Sequence, residues 1–132
     1  MRKLKVFILD SSTQSQRVLH RGHIVVTGSH GGINASQYAI DARVGALISN
    51  DAGFGRDEAG VAGLPALQAA GIAAATVSHT SARIGEGQST WDDGIISAAN
   101  ALALAAGVEL GQTAQQACAA LGAVQVGGTA NS

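Results

Sequence analysis

The chain has 132 residues, 46% of them hydrophobic and 13% charged, with a formal net charge of −1. That size fits one domain that buries roughly 65–70% of its unfolded surface, and the apolar content excludes a largely disordered chain. The balanced charge excludes the basic excess of a nucleic-acid binder or of a polybasic membrane segment, and the single cysteine, Cys118, excludes an internal disulfide and fits a reducing, cytoplasmic compartment.

The basic start Met1 to Lys5 is followed by an apolar run, Val6 to Leu9, too short for a signal peptide, and no stretch reaches the length of a membrane span. Residues 5–9 read as a strand ending at Asp10. Residues 10–22 are polar, with room for a short strand at 17–19. Residues 23–27 are β-branched, bounded by glycines, and read as the second strand. Residues 33–43 carry an apolar side at helical spacing. Residues 45–49 form the next strand, and 50–60 a glycine-punctuated turn. A helix is expected from Leu64 with Pro65 in its first turn and Gly71 as its stop. Residues 72–77 read as a strand, 78–94 as the longest loop, and 95–106, apolar nearly all round, as a helix buried on two sides. Thr90 to Asp93 has capping-box spacing and is expected to open that helix, as Thr113 to Gln116 is expected to open the last one. Residues 124–126 read as an edge strand and 127–132 as a frayed tail. The alternation of strand, Gly-rich loop and helix predicts a single α/β domain over residues 1–126. Its expected form is a mainly parallel sheet of four to six strands with covering helices, three-layered or β/β/α-like.

In an open α/β sheet, ligands bind beyond the carboxyl ends of the strands, so the post-strand loops carry the candidate chemistry. The first is Gly28-Ser29-His30-Gly31-Gly32. There His30 offers proton transfer near neutral pH, while Ser29 and the amides of Gly31 and Gly32 offer an anion cradle. Its spacing is neither the dinucleotide fingerprint nor a phosphate-binding loop. The second begins at Asn50-Asp51, where a carboxylate at a strand end can orient a histidine, hold a substrate hydroxyl or hold a metal-bound water. Arg56 in the same loop can pair with a carboxylate. The third, 78–87, supplies His79, Ser81 and Arg83, and a loop of that length is more often functional than idle.

These residues divide by chemistry into catalytic candidates His30, His79 and Asp51 and substrate-binding candidates Ser29, Gly31, Gly32, Arg83, Asn50 and Ser81. A serine nucleophile is disfavoured because no G-x-S-x-G elbow is present. Zinc is disfavoured because His20-x-x-His23 lacks a partner pair of metal spacing. Mg²⁺ remains the one cofactor the carboxylates allow, through Asp51, Asp57 or Asp92 and Asp93.

The stretch 22–77 resembles the swivelling β/β/α domains in its order: the strand Ile24-Val25-Val26, a glycine–serine turn, a helix, the strand Ala46-Leu47-Ile48, then Ala70-Gly71-Ile72 entering a further strand. That architecture includes phosphohistidine carriers, an aconitase-like swivel module and small metal-dependent aldolases. The likeness rests on spacing and assigns no residue a role.

The expected function is therefore that of a small enzyme, or enzyme subunit, acting on a compact anionic metabolite of carboxylate type by lyase, isomerase or hydrolase chemistry. The alternative is a non-catalytic ligand-binding or regulatory subunit that uses the same Gly-rich loop. Ala-rich helices at 95–106 and 113–121 favour a homo-oligomer or a partner subunit, with neither nucleic acid nor membrane as partner.

Overall fold

The computed structural model describes residues 4–54 and 56–129, with the side chains of 56, 57 and 124–129 left aside. Six strands form one sheet: β1 (Leu4–Leu9), β2 (Ile24–His30), β3 (Ala46–Asn50), β4 (Ala73–Val77), β5 (Ile96–Ala99) and β6 (Ala123–Thr129), in the spatial order β5-β4-β3-β2-β1-β6. Every neighbouring pair is parallel except β4 with β5. Parallel strands need crossovers, and the crossovers supply helices to both faces. The helices are α1 (Arg17–His20), α2 (Ile33–Ala42), α3 (Leu64–Ala69), α4 (Gly87–Asp93), α5 (Ala101–Ala106) and α6 (Ala114–Ala120). None is long and apolar enough to cross a membrane.

Side chains alternate across each strand and so feed two separate cores. On one face Val25, Leu47 and Ala74 pack with Ala39 and Ala42 of α2 and Leu64 and Leu67 of α3. On the other, Ile24, Val26, Ile48, Ala75 and Val77 pack with Ala103 of α5 and Ala114, Ala117 and Cys118 of α6, with Trp91 of α4 against them. Helices on both faces make the domain three-layered, which separates it from the β/β/α alternative. Cys118 belongs wholly to this core, and burial pushes its thiol up to about 12, so it is an inert packing group.

Pro65 opens α3, Gly71 follows it with φ 80°, and Thr113 forms a capping box with Gln116, each as the sequence predicts. Other expectations fail for physical reasons. Residues 17–20 are helical rather than extended, because the Gln16 N–H donates to His20 Nδ1 at 2.8 Å and its C=O accepts from the His20 N–H, closing a turn. The apolar run 95–106 is divided into β5 and α5. Ile96–Ala99 takes its hydrogen bonds antiparallel from β4, and Asn100 breaks the run by capping α5 through the Ala103 N–H. Only Ala103 of α5 is buried, and Leu104 is 52% exposed. Thr90 to Asp93 ends α4 instead of opening a helix. β6 continues to Thr129, with Gly128 and Thr129 paired to Phe7 and Ile8 of β1, where the sequence suggests a frayed end. Residues 130–132 lie outside the described ones.

The segment 78–87 crosses the carboxyl edge of the sheet from β4 towards β1. Asn50 Nδ2 donates to Ala82 O at 3.1 Å, the Gly85 N–H donates to Gly28 O, and the Gly87 N–H donates to Asp10 Oδ1 at 3.0 Å. Gly87 sits so close to the end of β1 that a Cβ would collide with the Leu9 carbonyl. Gly87→Ala is thus expected to destabilise the fold by about 1–3 kcal/mol through forced backbone displacement. A urea midpoint within error of the parent protein would refute this close approach.

Candidate active site

The loops after β1, β2 and β3 lead to the layer of α2 and α3, whereas the loop after β4 leads to α4 on the opposite layer. The carboxyl ends of β3 and β4 are therefore neighbouring strand ends whose loops part, the position at which α/β sheets form ligand crevices. Asn50 and Asp51 stand at this point. Both fold back on the chain: the Ala52 N–H donates to Asn50 Oδ1 at 2.8 Å and the Gly53 N–H to Asp51 Oδ1 at 2.7 Å. Two consecutive Asx turns throw the next residues into left-handed conformations, with φ of 51° at Ala52, 72° at Gly53 and 67° at Phe54.

Asp51 is 2% exposed, yet it is placed against a histidine. Its Oδ1 accepts the backbone N–H of His79 at 3.1 Å and lies 3.6 Å from His79 Nδ1. The His79 side chain is 56% exposed, so the pair has one buried charge and one accessible ring. Gly53 is the shelf under that ring, since a Cβ there would stand 3.3 Å from His79 Cε1. A side chain at Gly53 would be strained by its φ and would push the imidazole off the carboxylate. The spacing Asp51-x-Gly53 is the sequence signal for this turn, but the part the glycine plays against His79 depends on the loop after β4 and escapes a sequence reading.

His30 is the last residue of β2, exposed, and paired in register with Asn50. Its Nδ1 accepts the Gly32 N–H at 3.0 Å, and the Gly31 N–H donates to Asn50 O at 2.9 Å. Both glycine amides are thus spent inside the protein, which corrects their expected role as an anion cradle. Gly31 is instead a packing residue, because a Cβ would press on the Gly60 carbonyl and Thr76 Cγ2.

The remaining substrate-binding candidates also have internal duties. Asn50 is fully buried and uses both ends of its amide, on Ala52 and Ala82. Ser29 Oγ accepts the Ser12 N–H at 2.7 Å and ties β2 to the turn after β1. Ser81 Oγ donates to Ser78 O and accepts the Ile95 N–H, fastening the loop after β4 to the start of β5. Arg83 is on that loop with its side chain 79% exposed, 3.7 Å from Glu86. An exposed pair of this kind is held weakly and can exchange its partner for a ligand carboxylate. The side chains of Arg56 and Asp57 lie outside the described ones. Among the described residues, no three of His, Cys, Asp or Glu gather as a metal cage.

The chain matches no protein-family model, no curated protein and no solved structure.

Proposed function

We propose that this domain is a small acid–base enzyme, or the small subunit of one, whose working pair is His79 and Asp51 and whose substrate is a compact carboxylate-type metabolite. One observation carries the reading: a buried carboxylate accepts the backbone N–H of His79 and lies 3.6 Å from Nδ1 of its accessible ring, at the parting of β3 and β4. A carboxylate in that position orients the ring and stabilises the imidazolium formed when the ring takes a proton. Arg83, on the same loop as His79, would supply the charge for the substrate's carboxylate. Exposed Ile33, Tyr38, Leu104 and Leu110, together with the Ala-rich helices, support a homo-oligomer or a partner subunit.

The test is a binding screen of pyruvate, succinate and malate by thermal shift, with backbone NMR mapping of the ligand that stabilises most. A saturating ligand at a hundred times its Kd should stabilise the fold by about 3 kcal/mol. The mapped shifts should centre on Gly53 and His79, Arg83→Gln should weaken binding about tenfold, and any turnover should fall about 10²–10⁴-fold in His79→Gln. Shifts centred away from the carboxyl edge, or turnover unchanged in His79→Gln, would refute the assignment.

A further inference from the structure

The four imidazoles differ in what meets Nδ1. In His20, His23 and His30 that nitrogen accepts a backbone N–H, from Gln16 at 2.8 Å, Lys5 at 3.1 Å and Gly32 at 3.0 Å. A ring nitrogen that accepts a hydrogen bond carries no proton, so the proton of each neutral ring is on Nε2. His79 is the exception: its Nδ1 faces the Asp51 carboxylate, which favours a proton on Nδ1 and leaves the Nε2 lone pair outward. His20 is buried and His23 precedes β2 at the opposite edge of the sheet. His30 and His79 are the two accessible imidazoles at the carboxyl edge, and their hydrogen bonds give them opposite tautomers.

They stand on strands that flank the same strand end. His30 pairs with Asn50 across β2 and β3, Asn50 pairs with Val77 across β3 and β4, and His79 is two residues beyond Val77. Strands about 4.8 Å apart put the two supporting strands about 10 Å from each other, with the Asp51 to Phe54 turn between them.

We infer that His79 is the base and His30 the hydrogen-bond donor of a proton-abstraction site, and that the substrate is a carbonyl compound with a removable proton on the adjacent carbon. The inference rests on the Asp51–His79 reading above and adds His30 and the substrate class to it. His79 Nε2 takes the proton from the carbon next to the carbonyl. The C–H pair becomes the new C=C bond, and the carbonyl π pair moves onto oxygen. His30 Nε2–H holds the resulting enolate oxygen by a hydrogen bond, as a neutral imidazole can. Asp51 stabilises the His79 imidazolium, which returns its proton to the same carbon as the C=O bond re-forms. The outcome is exchange of that hydrogen with solvent, and it needs no oxidant, reductant or second reactant.

Two measurements on the full-length protein test this. Long-range ¹H–¹⁵N NMR should find the neutral His79 protonated on Nδ1 and the neutral His30 protonated on Nε2. In D₂O, the protein should speed deuterium uptake at the carbon beside the carbonyl of pyruvate, 2-oxobutyrate or acetoacetate. His30→Asn retains an oxygen for the Gly32 N–H but cannot reach the substrate, and should slow uptake about 10²–10³-fold while leaving the melting temperature nearly unchanged. A His30 proton on Nδ1, or full uptake in His30→Asn, overturns the inference and leaves the Asp51–His79 pair standing. A His79 proton on Nε2 overturns both readings. Correct tautomers without uptake from any of the three compounds overturn the substrate class.

Discussion

Asn100→Leu is expected to cost about 3–5 kcal/mol of folding stability. Asn100 is 8% exposed and stands where β5 gives way to α5. Its Oδ1 accepts the Ala74 N–H at 3.0 Å and the Ala103 N–H at 3.1 Å, while its Nδ2 donates to Ile72 O at 3.0 Å and Leu64 O at 3.4 Å. One amide thus serves the start of β4, the first turn of α5 and the first turn of α3. Leucine has nearly the same shape and offers nothing to those four backbone groups. Each buried group left unpaired costs about 1–3 kcal/mol, and the sum is reduced because helix ends can shift towards water. Asn100→Asp separates shape from hydrogen bonding. It keeps the two acceptor bonds but turns a donor into a charged oxygen facing two carbonyls. It should be as unstable as the leucine variant at neutral pH, and closer to the parent once acid protonates the carboxyl. Urea unfolding at pH 7 and pH 4 checks both variants, and a loss below about 1 kcal/mol in both would contradict the role given to this amide.

The residues that define the edge of the sheet were legible because strand ends and glycine turns announce themselves. Asn50-Asp51, His30 and His79 each follow a β-branched or apolar run, and a parallel sheet brings such positions together without further information. What escaped was the allocation of hydrogen bonds. Nothing in Gly31-Gly32 says that one amide goes to Asn50 O and the other to the neighbouring histidine ring, because both partners depend on loop geometry. The run 95–106 misled because it is apolar on every side and has no period to read. The choice of strand for its first half came from the open edge of β4, a tertiary effect. Residues 17–20 misled for the converse reason: Val18 and Leu19 look like strand residues but are 93% and 52% exposed, and a histidine side chain closes the turn instead.

Acidification should weaken the fold from about pH 6.5 downward through His20. That ring is 3% exposed and packs edge-on against Phe7, with centroids 4.8 Å apart. Burial lowers its pKa from the ordinary 6.5, and His23, whose ring also meets Phe7 edge-on with centroids 5.7 Å apart, lowers it further. The charged groups nearest in the chain, Arg17 and Arg21 on α1 and its cap, are cations as well, and Lys5 comes in from β1 to give its N–H to His23. Among the described residues no carboxylate pairs with His20. The sign follows from which state holds the proton. Above pH 6.5 both states are neutral at this position and His20 adds no pH dependence. Below it the unfolded chain binds a proton that the folded chain refuses, so stability falls as pH falls, by up to about 1.4 kcal/mol per pH unit, until the lowered folded-state pKa is passed. When the folded protein does take the proton, the unshared pair that accepts the Gln16 N–H is contested and α1 loses the contact that closes its turn. His20→Asn preserves an acceptor for Gln16 but has no titration in this range. Its stability is expected to be lower at every pH, through loss of the Phe7 contact, yet flatter between pH 6.5 and 5 than that of the parent protein. The comparison of slopes rather than levels decides the matter, because carboxylates elsewhere contribute equally to both proteins. Equal slopes in urea titrations across that interval would remove His20 as the source.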